Sequence, residues 1–201
     1  VHFIVLDFSN DLQRSVFCGD VRESHIGTTV KLTGWLEHMR ELQKGKFGFA
    51  VLRDRKGSVQ SIASIEDGTP AHILQQLTQT PLESVVYLQG TVRQRPGADK
   101  NEKMQTGQVE VVITDLKVLN KAQTLPLQLV NAEENVRLKY RYLDLRRAQL
   151  QQNIAMRSKA LSLIKQFFTS HDFLEVETPT LFKSTPEGAR EYLVPTRQYV
   201  L

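Results

Sequence analysis

The chain has 201 residues, of which 40% are hydrophobic, 24% charged and 7% aromatic. That composition excludes a wholly disordered, collagen-like or coiled-coil chain and accommodates one or two domains. A net charge of +4 is compatible with a polyanionic partner without requiring one.

Cys18 is the single cysteine, which excludes an intrachain disulfide and a cysteine-built zinc site and fits a reducing compartment. Apolar runs such as Val85–Leu88 fall far short of the roughly 18–20 residues of a membrane span, so no membrane is expected among the partners. The opening Val1–Leu6 is too short and too uncharged for a signal peptide, and the chain opens without Met, which leaves any targeting segment ahead of it open.

From Thr29 to Val118 the pattern is one of short strands separated by turn signals. Val30, Leu32 and Leu36 alternate with Lys31, Thr33, Trp35 and Glu37, which predicts a half-buried strand; Phe47–Leu52 predicts a second. Arg53–Gly57 reads as a hairpin turn in which Gly57 can take a positive φ, and Ser58–Ala63 as the returning strand. Ile73, Leu74 and Leu77 then fall at helical spacing behind Pro70, a residue suited to a helix start. Ser84–Val92 and Gln108–Ile113 read as strands on either side of a long loop that carries Pro96 and Gly97. Three strands, a helix, a strand, a loop and a strand is the order of an all-β OB-fold barrel, whose sheet face commonly binds oligonucleotides. An SH3-like barrel is the rival, but it does not normally carry the inserted helix.

The texture changes near residue 120. Residues 1–120 are expected to form the barrel domain, 121–150 a hinge or linker, and 151–201 the start of a second, α+β domain. Asn131 is placed to cap a charged helical stretch with Glu133 and Glu134 in its first turn. The strongest helical pattern follows, with Met156, Ala160, Leu163 and Phe167 on one stripe and Ile154, Leu161, Ile164 and Phe168 on its neighbour. It stops at Ser170–Asp172, after which Phe173–Glu177 alternates as a strand closed by Pro179.

Chemistry-bearing motifs are mostly missing. There is no P-loop, no dinucleotide fingerprint and no H-E-x-x-H, and the five histidines show no ligand spacing, so no metal site is expected. Five segments, however, resemble the aspartyl-tRNA synthetase family of bacterial and mitochondrial type: Gly34–Leu36, Leu52–Gln60, Arg137–Arg147, Phe173–Pro179 and Thr185–Pro195. They occur in the family's order from about Cys18 to Arg197, and Thr185-Pro186-Glu187-Gly188-Ala189-Arg190 is the most specific of them.

The resemblance implies an anticodon-binding OB domain followed by the opening of a class II catalytic domain. Phe49 matches the aromatic on which the middle anticodon base stacks, and Gln60 the amide that reads that base. Glu110 matches the carboxylate that accepts hydrogen bonds from the first base, and Arg40 the last of a basic run along the RNA strand. By pattern alone Phe49 reads as a core aromatic, and Gln60 and Glu110 as solvated strand positions. Pro179 matches the proline that closes the first class II motif, part of the family's dimer interface. Glu187 matches the carboxylate of a mobile loop that binds the ammonium of aspartate.

His38-Met39 stand where the family has a basic pair, and His171-Asp172 replace a glycine-containing turn. These departures favour a mitochondrial-matrix form over a cytoplasmic, bacterial one. The partners so implied are the aspartate tRNA, L-aspartate and a second copy of the chain, with ATP and Mg²⁺ serving the full-length reaction. No catalytic residue is expected within this stretch, which is expected not to catalyse alone. The alternatives are a non-catalytic OB module for single-stranded nucleic acid, or a lysyl or asparaginyl relative. The helix stripe is expected to stay exposed, and proteolysis to trim the chain to about residue 125.

Overall fold

Alternation of inward apolar and outward polar side chains bends the first part of the chain into a closed barrel, as a computed structural model shows. The structure describes residues 12–42, 46–97, 100–126, 132–181, 183, 192, 194 and 195. Its strands are β1 (Thr29–Leu42), β2 (Phe47–Asp54), β3 (Gly57–Ser64), β4 (Val85–Gln94) and β5 (Val109–Asn120). They close in the order β1-β2-β3-β5-β4, with β3 parallel to β5 and the other neighbours antiparallel.

One strand makes this closure possible. β1 pairs with β4 over Thr29–Trp35 and with β2 over Trp35–Leu42, and the change of partner coincides with a register shift between Leu36 and His38. A bulge bends a strand and increases its twist, so β1 can serve two neighbours. Both β1 and β5 therefore run well past the segments their alternation predicts. Gly34 lies at the crowded crossing: a Cβ there would stand 2.4 Å from the Arg53 carbonyl oxygen.

The core is built from the inward rows, among them Leu32, Leu36, Leu52, Val59, Leu88, Val111 and Ile113. Helix α1 (Ala71–Gln79) adds Ile73, Leu74 and Leu77 to it, the three residues whose spacing predicts it. The β2–β3 turn forms as expected, with Gly57 at φ +143°. Asp54 steadies it, accepting from the Lys56 N–H at 2.8 Å and from the Cys18 N–H at 2.7 Å. Burial first, and then the adjoining Asp54 carboxylate, pushes the Cys18 thiol far above the usual thiol range. It behaves as a small apolar core side chain.

The chain divides into two compact units, Val1–Arg147 and Ala148–Leu201. The first includes, besides the barrel, α2 (Glu134–Lys139) and α3 (Arg141–Asp144). The expected cap Asn131 lies outside the described residues, and Glu133 occupies the N-cap position of α2. The second unit contains α4 (Ala148–Ser170), in which no residue is buried. Its C-terminus is a Schellman motif: the Phe173 N–H reaches the Phe168 carbonyl at 3.1 Å and the Asp172 N–H the Thr169 carbonyl at 3.2 Å. The Phe168 and Phe173 rings meet at 5.4 Å to complete it. Asp172 takes φ +63° there, a left-handed position at which glycine is usual.

The strand expected at Phe173–Glu177 does not form; residues 173–179 are irregular. Alternation prepares a segment for a sheet, but a strand exists only when a neighbour completes its ladder, and among the described residues none pairs with this one.

Candidate nucleic-acid interface

The barrel pairings place four of the sequence-predicted residues on one outward face. Arg40 of β1 lies opposite Phe49 of β2, and Phe49 opposite Ile62 of β3. Ile62 is next to Val112 of β5, and Val112 opposite Thr91 of β4. In the next row His38 faces Val51, Val51 faces Gln60, and Glu110 faces Arg93. Side chains two apart on a strand share a face, so these rows lie on one face of the sheet, on which Ile62 is fully buried.

Phe49 is half-buried on that face, not sealed in the core. Its ring meets Phe47 edge-on, at 4.8 Å and 82°, an arrangement that steadies both rings. Arg40 is exposed beside it. Gln60 Nε2 donates to Glu110 Oε2 at 3.1 Å, and Arg93 Nε donates to Glu110 Oε1 at 2.8 Å. Arg93 also reaches Asp67 at 2.9 Å. Burial works against the Arg93 charge, but the hydrogen bond and charge of Glu110, followed by those of Asp67, outweigh it and hold its pKa above the ordinary arginine value.

This geometry refines the expectation for Glu110. Its carboxylate is only 3% exposed and already accepts two donors. Each carboxylate oxygen has a further lone pair, so the group can serve an incoming donor only at its edge. Gln60 keeps, among the described residues, its amide oxygen and second N–H uncommitted.

Glu187 is outside the described residues. Pro179 is exposed in the irregular stretch after α4.

Two charged groups are not singled out by sequence pattern or resemblance. Asp144, fully buried, is held by Arg137 Nε, Arg141 Nη1 and Arg147 Nε, each at 2.9 Å. Hydrogen bonding from Arg137 is the chief cause that lowers its carboxyl pKa below the usual value, opposed by desolvation and helped by the charges of Arg137, Arg147 and Arg141. The arginines stand seven and three residues before Asp144 and three after it, so helical spacing could have revealed the cluster. The second group is Glu83, which binds Arg53 at 2.6 Å and Arg146 at 3.0 Å. The Arg146 guanidinium also lies 4.8 Å from the Trp35 ring centre. These contacts tie the segment after α3 to β1 and β2; only the positions of Arg146 and Trp35, inside the segments that resemble the synthetase family, hint at them.

A closed five-stranded barrel of this order is an OB fold. A family model described as "OB-fold nucleic acid binding domain" matches residues 30–119, and one described as "tRNA synthetases class II (D, K and N)" matches residues 133–200. The chain therefore belongs with the class II aminoacyl-tRNA synthetases that carry such a domain. More particularly, it is homologous to aspartate–tRNA ligases.

The ligase of Haemophilus ducreyi is 43% identical over 187 residues, which is 92% of this chain and 31% of the relative. That of Staphylococcus aureus strain Newman is 44% identical over 189 residues, 92% of this chain and 32% of the relative. The "Aspartate–tRNA(Asp/Asn) ligase" of Treponema denticola is 43% identical over 191 residues, 94% of this chain and 32% of the relative. The chain thus spans about a third of the length of the curated relatives it matches. Among solved structures, the aspartyl-tRNA synthetase of Entamoeba histolytica superposes with a TM-score of 0.76 at 20% identity, covering 90% of this chain and 42% of that one. The asparaginyl-tRNA synthetase of Pyrococcus horikoshii superposes with a TM-score of 0.70 at 22% identity, covering 84% of this chain and 37% of that one. These two likenesses speak to the fold.

Proposed function

We propose that this chain is the anticodon-reading part, together with the opening of the catalytic part, of an aspartate–tRNA ligase, which joins aspartate to its tRNA through an aspartyl-adenylate. The observation that carries this reading is the linked row Gln60–Glu110–Arg93 beside a half-exposed Phe49 and an exposed Arg40. A base stacked on Phe49 would lie within reach of an amide that offers both a donor and an acceptor, the pair needed to read a Watson–Crick edge. Glu110, steadied by Arg93, would accept from a neighbouring base, and Arg40 would meet the phosphate strand.

In this reading residues 1–120 bind the anticodon, 121–150 are the hinge and 151–201 open the catalytic domain. Glu187 receives the ammonium of aspartate, an anion suited to a cation. Pro179 belongs to a homodimer interface, and the enzyme works in the mitochondrial matrix. The whole reaction would use ATP and Mg²⁺. Among the described residues no group of three or more His, Cys, Asp or Glu is placed to hold a metal ion.

Binding of the chain to aspartate tRNA, compared with the same tRNA altered at its middle anticodon base, tests the proposal. Matched tRNA should bind at least about fivefold more tightly, since a donor–acceptor amide pair on a base edge contributes roughly 1–3 kcal/mol of discrimination against the wrong base. Phe49→Ala or Gln60→Ala should erase most of that preference. Equal affinity for both tRNAs, or equal loss for every RNA in the variants, would identify a general single-strand binder instead.

A further inference from the structure

The first unit carries a cavity of about 430 Å³ that the anticodon reading does not use. Its walls include Arg14, Phe17, Thr33, Trp35, Asp54 and Arg55. The volume lies within the range of small-ligand sites, roughly 300–1,000 Å³. Trp35 and Arg53 form the outward row next along β1 and β2 from the candidate interface, so the cavity borders that surface.

Three observations point to an anionic occupant that also carries a hydrogen-bonding group. The guanidiniums of Arg14 and Arg55 lie 4.8 and 4.9 Å from the centre of one ring, that of Phe17. Among the described residues neither has an ion-pair partner. The carboxylate on the same wall, Asp54, is buried and turned to the backbone N–H groups of Cys18 and Lys56. Two like charges held near one ring repel, and an anion beside them lowers that cost. The third observation is Thr33 Oγ1, a buried hydroxyl of the cavity wall that has no hydrogen-bond partner among the described residues. A buried polar atom of this kind calls for a partner.

We propose that this cavity is a second RNA-contact site, which takes one nucleotide of the strand next to the bases read on the Phe49 face. The phosphate lies against Arg14 and Arg55, and the sugar or base edge meets Thr33 Oγ1. Arginine planes suit both phosphate and stacked bases. The proposal rests on tRNA being the partner, but not on which anticodon is read.

Trp35 is the chain's single tryptophan and lines the cavity, so its fluorescence reports occupancy directly. Matched tRNA and the middle-base variant should both quench it. Arg14→Ala combined with Arg55→Ala should weaken both RNAs about tenfold at low salt. The slope of log affinity against log salt should flatten by about 0.7 for each single-strand phosphate that no longer meets an arginine. The quenching should disappear even at saturating RNA. Arg14→Lys with Arg55→Lys, which keeps the charge, should restore most of the slope. Thr33→Val should raise the melting temperature, because an unpartnered hydroxyl is removed, while lowering RNA affinity about threefold.

Unchanged slope and quenching in the double alanine variant would overturn the proposal. So would quenching by adenosine monophosphate at the same concentrations as RNA, which would mark a free-nucleotide site. If middle-base discrimination is absent while the Arg14/Arg55 effects persist, the anticodon reading fails and this site stands. If no RNA binds, both fail.

Discussion

Asp144 shows how one carboxylate can organise a stretch of chain, Glu133 to Arg147, that buries only one apolar side chain, Leu143. Three arginines surround it, and the group is fully enclosed. Removing one partner from such a cluster strands a buried charge, which is a severe loss. Because the folded carboxyl titrates below its usual value, its contribution is fully present above the unfolded carboxylate pKa of about 3.9 and is lost as pH falls through the lower, folded value. Asp144→Asn should therefore melt at a lower temperature than the parent at neutral pH. The gap should narrow progressively below about pH 4, where the parent's own carboxyl takes up a proton. Thermal melts of both proteins between pH 7 and pH 2 check this; a gap that stays constant across the range would show that the charge contributes nothing.

At the scale of the element, the end of α4 exposes a residue choice that can be improved. Asp172 adopts the left-handed conformation at the C′ position, where a side chain is strained and an acid also opposes the negative end of the helix dipole. Asp172→Gly should stabilise α4 by roughly 0.5–1 kcal/mol, the usual worth of relieving a left-handed non-glycine. Circular dichroism of the helical band during heating measures it, and Phe173→Ala, which removes the ring contact with Phe168, should act in the opposite direction. A lower helical midpoint for Asp172→Gly would refute the strain argument.

The same scale shows what could be read without coordinates. The β2–β3 hairpin and α1 were legible because their signals are local: alternation around a turn that ends in Gly57, and three apolar residues at helical spacing. The full lengths of β1 and β5 were not, since a register shift and the pairing with β4 extend them. Phe173–Glu177 misled for the converse reason, having the alternation without a neighbour among the described residues. Resemblance singled out Phe49, Gln60 and Glu110, and the barrel pairings bring them to one face. That Arg93 would occupy the Glu110 carboxylate depended on β4–β5 register, which no local pattern reports.

For the molecule as a whole, the contrast between its two units predicts where it is vulnerable. The barrel unit has a continuous buried core, whereas α4 presents Met156 at 72% exposure and Phe167 at 59%. Each large apolar side chain left in water forgoes roughly 1.5–3 kcal/mol of burial. Most helical stability in proteins comes from packing an apolar face, and no residue of α4 is buried, so α4 should open locally far more often than the barrel unfolds. Trypsin can then cut at Arg157, Lys159 and Lys165, which lie within it. The sequence pattern places the resulting boundary near residue 125; the contacts of the segment after α3 predict one further along the chain. Arg146 is joined to Glu83 and lies against Trp35, and Asp144 gathers Arg137, Arg141 and Arg147 into the same unit. Limited proteolysis followed by mass measurement should accordingly yield a lasting fragment that ends close to Arg147. In Arg146→Ala, which frees the segment from both Glu83 and Trp35, trimming should proceed back toward residue 125 at the same protease concentration. Parent protein that is trimmed to residue 125 at once would show that the Glu83–Arg146 tie does not hold the segment in solution. Resistance throughout α4 would show instead that its apolar stripe is covered.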